Sequence, residues 1–289
     1  TLSSSLLMID SIREPSRKLL VEPDYDFVGF AGGENGFHRR GLDEYDATTW
    51  VCTDSLRAYN DGVVQIFGKD GNPSAITGSS IATGWAPIGG VTKIGAVLYV
   101  LAKDSGNNYK VFAFVQSGSA LVRQSSLDSP VLFGNVPKGH PIIGKSLNGN
   151  VLIAFSHSLA PGTLSIWRYN VTDWGATMPQ YAASSIPVLS TVALTSVTEY
   201  APNKFQVTWE PSATHTCYSL SGTTLTRIAA DEFPVAKTGW SRGVCYVNSK
   251  WHMMSSEGFY DYTNLPGGTM KLGYSWVDSN PAGSGTAET

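Results

Sequence analysis

The sequence has few charged residues, few cysteines and no long apolar run. Charged residues make up 15% of the chain, against about a quarter in a typical soluble domain, which is typical of a secreted or virion-borne surface. The formal net charge of −3 provides no broad cationic surface, so nucleic acid is not a predicted partner. The longest apolar stretches, such as residues 96–102, have the length of a strand, and we predict no membrane insertion.

Cofactor and metal motifs are also missing. Cys52, Cys217 and Cys245 are far apart and form no C-x-x-C pair, which favours buried free thiols over a metal cluster or a disulfide framework. The five histidines do not show metal-ligand spacing. There is no phosphate-binding P-loop, no dinucleotide-binding fingerprint and no serine-nucleophile elbow. We therefore predict no cofactor and no metal site.

What the sequence does contain is a strand–turn–strand pattern that recurs about every 50 residues, the spacing of blades in a β-propeller. The β-rich runs at the centre of each unit are residues 49–52, 96–100, 151–155, 205–209 and 251–254. Turns rich in Gly, Asn and Ser separate them from a following strand. We predict an all-β fold, a β-propeller of five blades, with six blades as the alternative.

The same pattern suggests a domain organisation. Residues 1–26 are predicted to form an N-terminal arm or closing strand, residues 27–277 the propeller, and residues 278–289 a flexible tail of linker composition. A count that begins near residue 45 leaves residues 269–277 over as one further strand. We expect that strand, or one near Leu19, to complete a blade begun at the other terminus.

Specific propeller motifs are not found, but the general style is informative. Asp173-Trp174 reverses the Trp-Asp order of WD40 blades, and Pro130 replaces the glycine of a sialidase Asp-box. In blade length and Gly/Ser/Thr-rich composition, residues 45–277 resemble propellers of viral tail hubs and receptor-binding proteins, and fungal fucose-type lectins. This resemblance implies a non-enzymatic structural and attachment module of a viral or phage particle. Such a module would be virion-borne or extracellular, assemble with partner subunits as a homo- or hetero-oligomer, and bind a host glycan.

Two sets of residues are candidate binding groups. The polar stretch 32–46 would be a solvated loop or a subunit interface, and its predicted binding residues are Glu34, His38, Arg39, Arg40 and Asp43. Eight Trp and thirteen Tyr exceed what a five-blade core needs, and exposed rings stack on sugars or anchor interfaces. The aromatic candidates are Trp174, Tyr181, Tyr260 and Trp276.

Two other functions stay open. One is a glycan-active enzyme, like a glycoside hydrolase, with carboxylates around the propeller channel; two carboxyl groups about 5–10 Å apart in a central pocket would favour it. The other is a lectin with one sugar pocket per blade gap, which the irregular repeats disfavour. No sequence feature selects a carboxylate pair, so we predict no catalytic residue and favour a non-enzymatic protein.

Overall fold

The computed structural model describes residues 39–54, 63–69, 74–76, 79–134, 140–156, 163–174, 180–183, 194–209, 214–232, 241–248, 250–255, 258–262 and 270–275. The predicted arm and tail lie outside these residues. Within the described ranges the regular structure is strand, apart from two single 3₁₀ turns, Ser125–Leu127 and Ala229–Asp231. This part of the chain has no helix that is both apolar enough and long enough to cross a membrane.

Sheets 1 and 2 are antiparallel and follow the chain order. The strands of sheet 1 are β1 (Arg39–Glu44), β2 (Thr49–Asp54), β3 (Val63–Gly68) and β4 (Ser79–Ser80). Those of sheet 2 are β5 (Trp85–Ala86), β6 (Val91–Ile94), β7 (Val97–Asp104), β8 (Tyr109–Ser117), β9 (Ala120–Arg123) and β10 (Val131–Phe133). Because β5 and β6 pair with different halves of β7, and β9 and β10 with different halves of β8, sheet 2 is also four strands wide.

The remaining three sheets repeat the four-stranded meander. Sheet 3 contains β11 (Ile142–Lys145), β12 (Val151–Ser156), β13 (Leu164–Tyr169) and β14 (Gln180–Ala183). Sheet 4 contains β15 (Leu194–Ala201), β16 (Lys204–Trp209), β17 (Thr214–Ser221) and β18 (Thr224–Arg227). Sheet 5 contains β19 (Ser241–Val247), β20 (Lys250–Ser255), β21 (Gly258–Tyr262) and β22 (Met270–Ser275).

Neighbouring sheets contact each other mainly through side-chain packing and share few backbone hydrogen bonds. Sheets 3 and 4 are joined by two parallel bridges, Lys145↔Thr198 and Ala182↔Thr224, so that their eight strands form a closed path. Each bridge is a single residue pair, whereas strands within these sheets share ladders of four to six pairs. The two sheets are therefore separate meanders that touch at their inner and outer strands.

The first strands of the five described sheets surround a common axis. Strand β1 contacts β6 and β19, β11 contacts β6 and β15, and β15 contacts β19, which closes a ring. Sheets that radiate from such a ring form a β-propeller, so the protein is an all-β propeller. The number of blades in the whole chain stays a prediction, because the five sheets are those of the described residues.

The core consists of apolar clusters between adjacent sheets. One cluster joins sheets 3 and 4, where Leu152 and Ile166 pack with Phe205 and Trp209, all nearly inaccessible to solvent. Similar clusters join sheets 1 and 2 and sheets 2 and 3. Large aromatic side chains at the seams bury apolar area where flat sheets diverge, and this burial is the main favourable contribution to folding.

Sheets 2 and 4 contain the same local hairpin. Each has a glycine at φ 60° in the turn before its outer strand and a single 3₁₀ turn after it. Arg123 Nη2 lies 2.5 Å from Asp128 Oδ2, and Arg227 Nη2 lies 2.7 Å from Glu232 Oε2. The similarity of residues 117–123 to residues 221–227 in sequence is therefore a similarity in structure.

The count of strands from residue 45 differs from the structure by one. The first described sheet begins at Arg39, so residues 39–44 form an innermost strand instead of a loop. Strand β22 pairs with β21 as the fourth strand of sheet 5, which is not the closing role expected for residues 269–277. The first strands contain glycine or a charged residue, so they lack the alternation that marks the later strands.

Candidate functional site

A pocket opens on the axis where the first strands end and turn back into the second strands. We call it the mouth pocket, and its volume is about 520 Å³. Its lining residues are Glu44, Tyr45, Asp46, Ala47, Lys69, Lys93, Gly95, Lys145 and Asn248. They belong to sheets 1, 2, 3 and 5, so the pocket exists only because the ring brings distant parts of the chain together.

The turn between β1 and β2 forms one rim of the pocket. Asp46 Oδ1 accepts hydrogen bonds from the backbone N–H of Thr48 at 2.8 Å and from its hydroxyl at 2.9 Å, as an Asp at the start of a turn commonly does. Burial by itself would raise the pKa of Asp46, but the hydrogen bonds from Thr48 and Thr49 outweigh it and lower that pKa. The exposed Asp46 carboxylate is therefore an acceptor and is not suited to donate a proton at neutral pH.

Beneath the pocket, the carboxylate of Asp43 connects three sheets. It accepts hydrogen bonds from Thr92 Oγ1 at 2.9 Å and from the N–H of Lys93 at 2.8 Å, both in sheet 2. Lys145 Nζ of sheet 3 lies 2.7 Å from Oδ1 and 2.9 Å from Oδ2. With the N–H of Glu44 also bonded to Oδ1, and only 3% of the residue exposed, Asp43 has no free acceptor for a ligand.

Below this level the channel is nearly closed. The cavity on the axis has a volume of only about 10 Å³ and is lined by residues of all five first strands, which is about the space of one water molecule. Cys245 lies in this wall, and burial, followed by the charge of Asp43, raises the pKa of its thiol well above the ordinary value. The accessible part of the described axis is thus the mouth pocket.

Lysine side chains dominate the donors of the pocket. Burial alone would lower the pKa of Lys145, but the charge and hydrogen bonds of Asp43 more than offset this and raise it, so Lys145 stays an ammonium. Lys69 Nζ pairs with Glu44 Oε1 and lies 4.5 Å from the centre of the Trp50 ring. Two of the lysines that line the pocket are therefore already paired with a carboxylate, Lys69 with Glu44 and Lys145 with Asp43 beneath the pocket.

Lys93 differs from the other two lysines. Its ammonium donates to the backbone carbonyl of Tyr45 and lies 4.6 Å from the centre of the Tyr45 ring. Within the described part of the chain, the structure shows no ion pair for this lysine. Tyr45 itself is 7% exposed and its hydroxyl donates to Gln116 Oε1 at 2.7 Å, so its ring supports Lys93 and is not a stacking surface for a ligand.

The arrangement is better suited to binding than to hydrolysis. Glycoside hydrolysis needs one carboxylic acid that donates a proton and a second carboxylate across the scissile bond. Glu44 and Asp46 both line the pocket, so the required number of carboxyl groups is present. However, Lys69 holds Glu44 and the Thr48 turn holds Asp46. Neither of these two groups is placed as a proton donor.

Of the predicted site residues, only Asp43 and Trp174 have described side chains, and these two lie in different places. Glu34, His38 and Trp276 lie outside the described residues; Arg39, Arg40, Tyr181 and Tyr260 are placed on strands β1, β14 and β21, without described side chains. Trp174 lies at the seam of sheets 2 and 3, where its indole N–H donates to the carbonyl of Leu127 at 3.2 Å. Asp43 lies on the axis, but as a buried support.

Sequence reasoning missed the three lysines. Lys93 and Lys145 lie at or next to the end of a short first strand, just before a turn. A charged residue at the end of an otherwise apolar strand, repeated at the blade spacing, is the signal that could have found them. Lys69 directly follows β3 and gives no comparable signal.

Comparisons with known proteins agree with this fold and identify no family. No protein-family model matches the chain, and no curated protein is similar to it in sequence. Among solved structures, glutaminyl cyclase from Myxococcus xanthus matches with a TM-score of 0.51 and 12% identity, over 76% of this chain and 86% of that chain. A GH43 β-1,3-galactosidase matches with a TM-score of 0.50 and 10% identity, over 81% of this chain.

That galactosidase is the longer protein, since the match spans 54% of its length. A β-propeller domain from Myceliophteria thermophila also matches, over 81% of this chain and 85% of that one, at 11% identity and a TM-score of 0.41, too low to support an argument. At identities this low the likeness concerns the fold alone. The chain is therefore an all-β propeller whose candidate site is the mouth pocket.

Proposed function

We propose that this propeller binds a carbohydrate in the mouth pocket and does not cleave it. The observation that carries the proposal is that three ammonium groups and two carboxylates line one pocket of about 520 Å³. That volume lies within the usual range for small-molecule sites. The pocket is too polar to favour an apolar ligand.

Sugar hydroxyls match such a mixture of hydrogen-bond donors and acceptors. Each hydroxyl both donates and accepts hydrogen bonds, so neighbouring hydroxyls on one sugar ring pair with neighbouring carboxylates and ammonium groups. Bonds to ionised partners are shorter and about twice as strong as neutral ones. Glu44 with Lys69 forms one such donor–acceptor pair at the pocket wall, and Lys145 contributes a further donor.

The experiment is binding to a glycan array that holds neutral and acidic glycans, with a variant that fills the pocket. Ala47 lines the pocket and is exposed, so Ala47→Trp blocks it without removing a polar group. Ala230→Trp, at an exposed position of the second 3₁₀ turn, is the matched control. We expect binding that Ala47→Trp weakens at least tenfold and Ala230→Trp leaves unchanged; no binding, or equal effects of the two variants, would contradict the proposal.

The alternative is a glycoside hydrolase. It is favoured by the two carboxylates of the pocket, Glu44 and Asp46, and by the fold shared with an enzyme named as a β-1,3-galactosidase. It is disfavoured because Lys69 and Thr48 hold these carboxylates. Incubation of each bound glycan with the protein separates the two functions: release of a shorter sugar supports hydrolysis and overturns binding without cleavage.

A role in a virion remains a narrower proposal. It is supported by the low charge and the Gly/Ser/Thr-rich composition, which also support a location on a virion or outside the cell. In that setting the bound sugar would be a host-surface glycan, and several copies in an oligomer would raise the avidity. Mass measurement in solution tests the oligomer: a monomer at all concentrations would remove the multivalent part of the proposal.

A further inference from the structure

We infer that the carbohydrate held by the mouth pocket is acidic and that Lys93 binds its anionic group. This inference rests on the proposed function and narrows it to a ligand class, a saccharide with a carboxylate or sulfate. The anionic group itself is the shared chemistry, and the structure does not favour one of these two forms.

Two of the three lysines that line the pocket are already paired with a carboxylate. Asp43 neutralises Lys145, with Nζ 2.7 Å from Oδ1, and Glu44 neutralises Lys69. Lys93 donates instead to a neutral group, the carbonyl of Tyr45. An ammonium with a neutral partner gains more from an incoming anion than an ammonium that must first release a carboxylate.

The surroundings of Lys93 hold both its side chain and its backbone in place. Its ammonium lies over the Tyr45 ring, 4.6 Å from the centre, and the side chain is partly buried. The backbone N–H of the same residue is bonded to Asp43 Oδ2 at 2.8 Å. Lys93 is therefore fixed at both ends before a ligand arrives, and a fixed cation loses less conformational entropy on binding than a free one.

Two carboxylates near Lys93, Asp43 and Asp46, would oppose the binding of an anion. Asp43 is buried beneath the pocket, and its charge is balanced by Lys145. Asp46 has no ion pair in the described residues, but it is exposed on the turn, where water and salt screen its charge more than that of a partly buried group. Among the lysines that line the pocket, Lys93 is therefore the one without a described ion pair, while Asp46 opposes its charge from the rim.

Variants of these two charges give effects of opposite sign. Lys93→Gln removes the proposed anion contact, and Lys93→Arg keeps the charge. Asp46→Asn removes the opposing charge but keeps a side chain that can form the same turn. Lys103→Gln is the matched control, because it removes one positive charge from the same sheet at a partly exposed position of β7 that does not line the pocket.

The probes are uronic-acid oligosaccharides and sulfated glycans, each beside its carboxyl-reduced or desulfated counterpart. We expect the acidic form to bind at least tenfold more tightly and this preference to weaken as NaCl is raised. Lys93→Gln should abolish the preference, Lys93→Arg and Lys103→Gln should retain it, and Asp46→Asn should strengthen binding of the acidic form. Thermal melts of all four variants show whether each is folded.

The outcomes separate this inference from the proposed function. If neutral glycans bind in the mouth pocket as tightly as their acidic forms, the acidic ligand class is wrong. If Lys93→Gln and Lys103→Gln act alike, the role of Lys93 is wrong. In both cases carbohydrate binding stands. If no glycan of either kind binds, the inference and the proposed function are both wrong. If only the sulfated or only the carboxylated glycans bind, the inference stands and the source of the anionic group is identified.

Discussion

At the scale of single residues, Asp43 shows how one carboxylate can order the centre of a ring. Its two oxygens accept bonds from groups of sheets 2 and 3 while its backbone belongs to sheet 1. A buried carboxylate with this many donors is stabilising only while all of them stay in place, because each would otherwise be left unsatisfied away from water. The residue thus couples the geometry of three sheets.

We predict that Asp43→Asn is far more damaging than Asp46→Asn. The first variant leaves the Lys145 ammonium without its partner. We expect a loss of about 2–3 kcal/mol, because Asp43 is buried but the Lys145 side chain is 34% exposed and is partly screened by water. The second keeps the turn-forming side chain at an exposed position, with an effect of about 0.5 kcal/mol or less. Urea unfolding at neutral pH measures both, and equal losses of unfolding free energy would contradict the structural role of Asp43.

The three cysteines are buried thiols that form no disulfide, as predicted from their spacing. Burial raises the pKa of the Cys217 thiol from 9.0 to about 12, and burial likewise raises the pKa of the Tyr218 hydroxyl to about 12. Both groups therefore stay neutral in the folded protein at a pH where the unfolded chain already ionises. The free energy of unfolding therefore changes with pH in the alkaline range.

We predict that the free energy of unfolding falls as pH rises from about 9 towards 12, by up to about 1.4 kcal/mol per pH unit for each such group. The sign follows because the unfolded state releases its proton first, so rising pH favours unfolding, and the full contribution is present below pH 9. Urea unfolding between pH 7.5 and 10.5 measures the slope. Cys217→Ala should flatten it in part; an unchanged slope would assign the effect to Cys245 and the buried tyrosines.

At the scale of elements, the duplicated hairpin is the clearest link from sequence to structure. The order Ser-Gly, Leu, Arg and then an acidic residue is the same in both copies, and both place an arginine on that acidic residue. The surroundings differ, since the Asp128 side chain is 3% exposed and the Glu232 side chain 12%. Asp128 Oδ1 also accepts from the N–H of Ala113 at 2.9 Å.

We predict that Asp128→Ala destabilises the protein by about 2–3 kcal/mol and Glu232→Ala by about 1 kcal/mol. Both substitutions leave a backbone N–H without its acceptor, that of Ala113 or that of Cys217. The larger value follows because Asp128 is the more buried carboxylate and its bond to that N–H is 2.9 Å against 3.3 Å. The Arg227 side chain, in addition, is 48% exposed and is solvated by water. Chemical denaturation of the two variants, each beside the wild type, measures the difference. A larger loss for Glu232→Ala would show that burial does not decide the ranking.

Strands rich in apolar, β-branched and aromatic residues could be predicted from the sequence, and some strands that contain glycine or charge could not. The runs at residues 151–155 and 205–209 coincide with β12 and β16, because second strands are buried on both faces and are rich in apolar residues. Strands such as β1 and β11 were missed. They lie at the crowded axis, where short side chains and glycine are required and where charge is neutralised by another sheet.

At the scale of the whole molecule, the width of the ring depends on close contacts between first strands. An added Cβ at Gly144 would lie 1.7 Å from the carbonyl oxygen of Val197 in the neighbouring sheet, a distance that no packing adjustment of side chains relieves. Glycine at this position lets β11 and β15 approach closely enough to form their parallel bridge. A wider ring would enlarge the axial cavity and loosen the floor of the mouth pocket.

We predict that Gly144→Ala destabilises the protein by about 3 kcal/mol or more, as severe overpacking does. Gly118→Ala is the control: its φ of 60° is strained for alanine but no atom lies within 4 Å of the added Cβ, so a loss of about 1 kcal/mol is expected. Thermal and urea unfolding measure both. Similar losses would indicate that backbone strain, and not contact between sheets, limits position 144.

The candidate site was less predictable than the fold, for a reason of geometry. The mouth pocket joins residues as far apart in the chain as Glu44 and Asn248, and only closure of the ring makes them neighbours. The polar stretch around Asp43 was recognised from its composition, yet composition does not distinguish a buried carboxylate from an exposed one. The pairing of Lys145 with Asp43, which decides that difference, spans two sheets and has no local signature.

The contact between β1 and β19 differs from the other four junctions of the ring. Between residues 39 and 275 the polypeptide passes directly from each sheet to the next, so four junctions are tethered, whereas these two strands are held against each other by non-covalent packing. A tether keeps the local concentration of its two partners high after they separate. Transient opening of the propeller should therefore begin where β1 meets β19, and water should reach the amides of these two strands before those of the tethered seams.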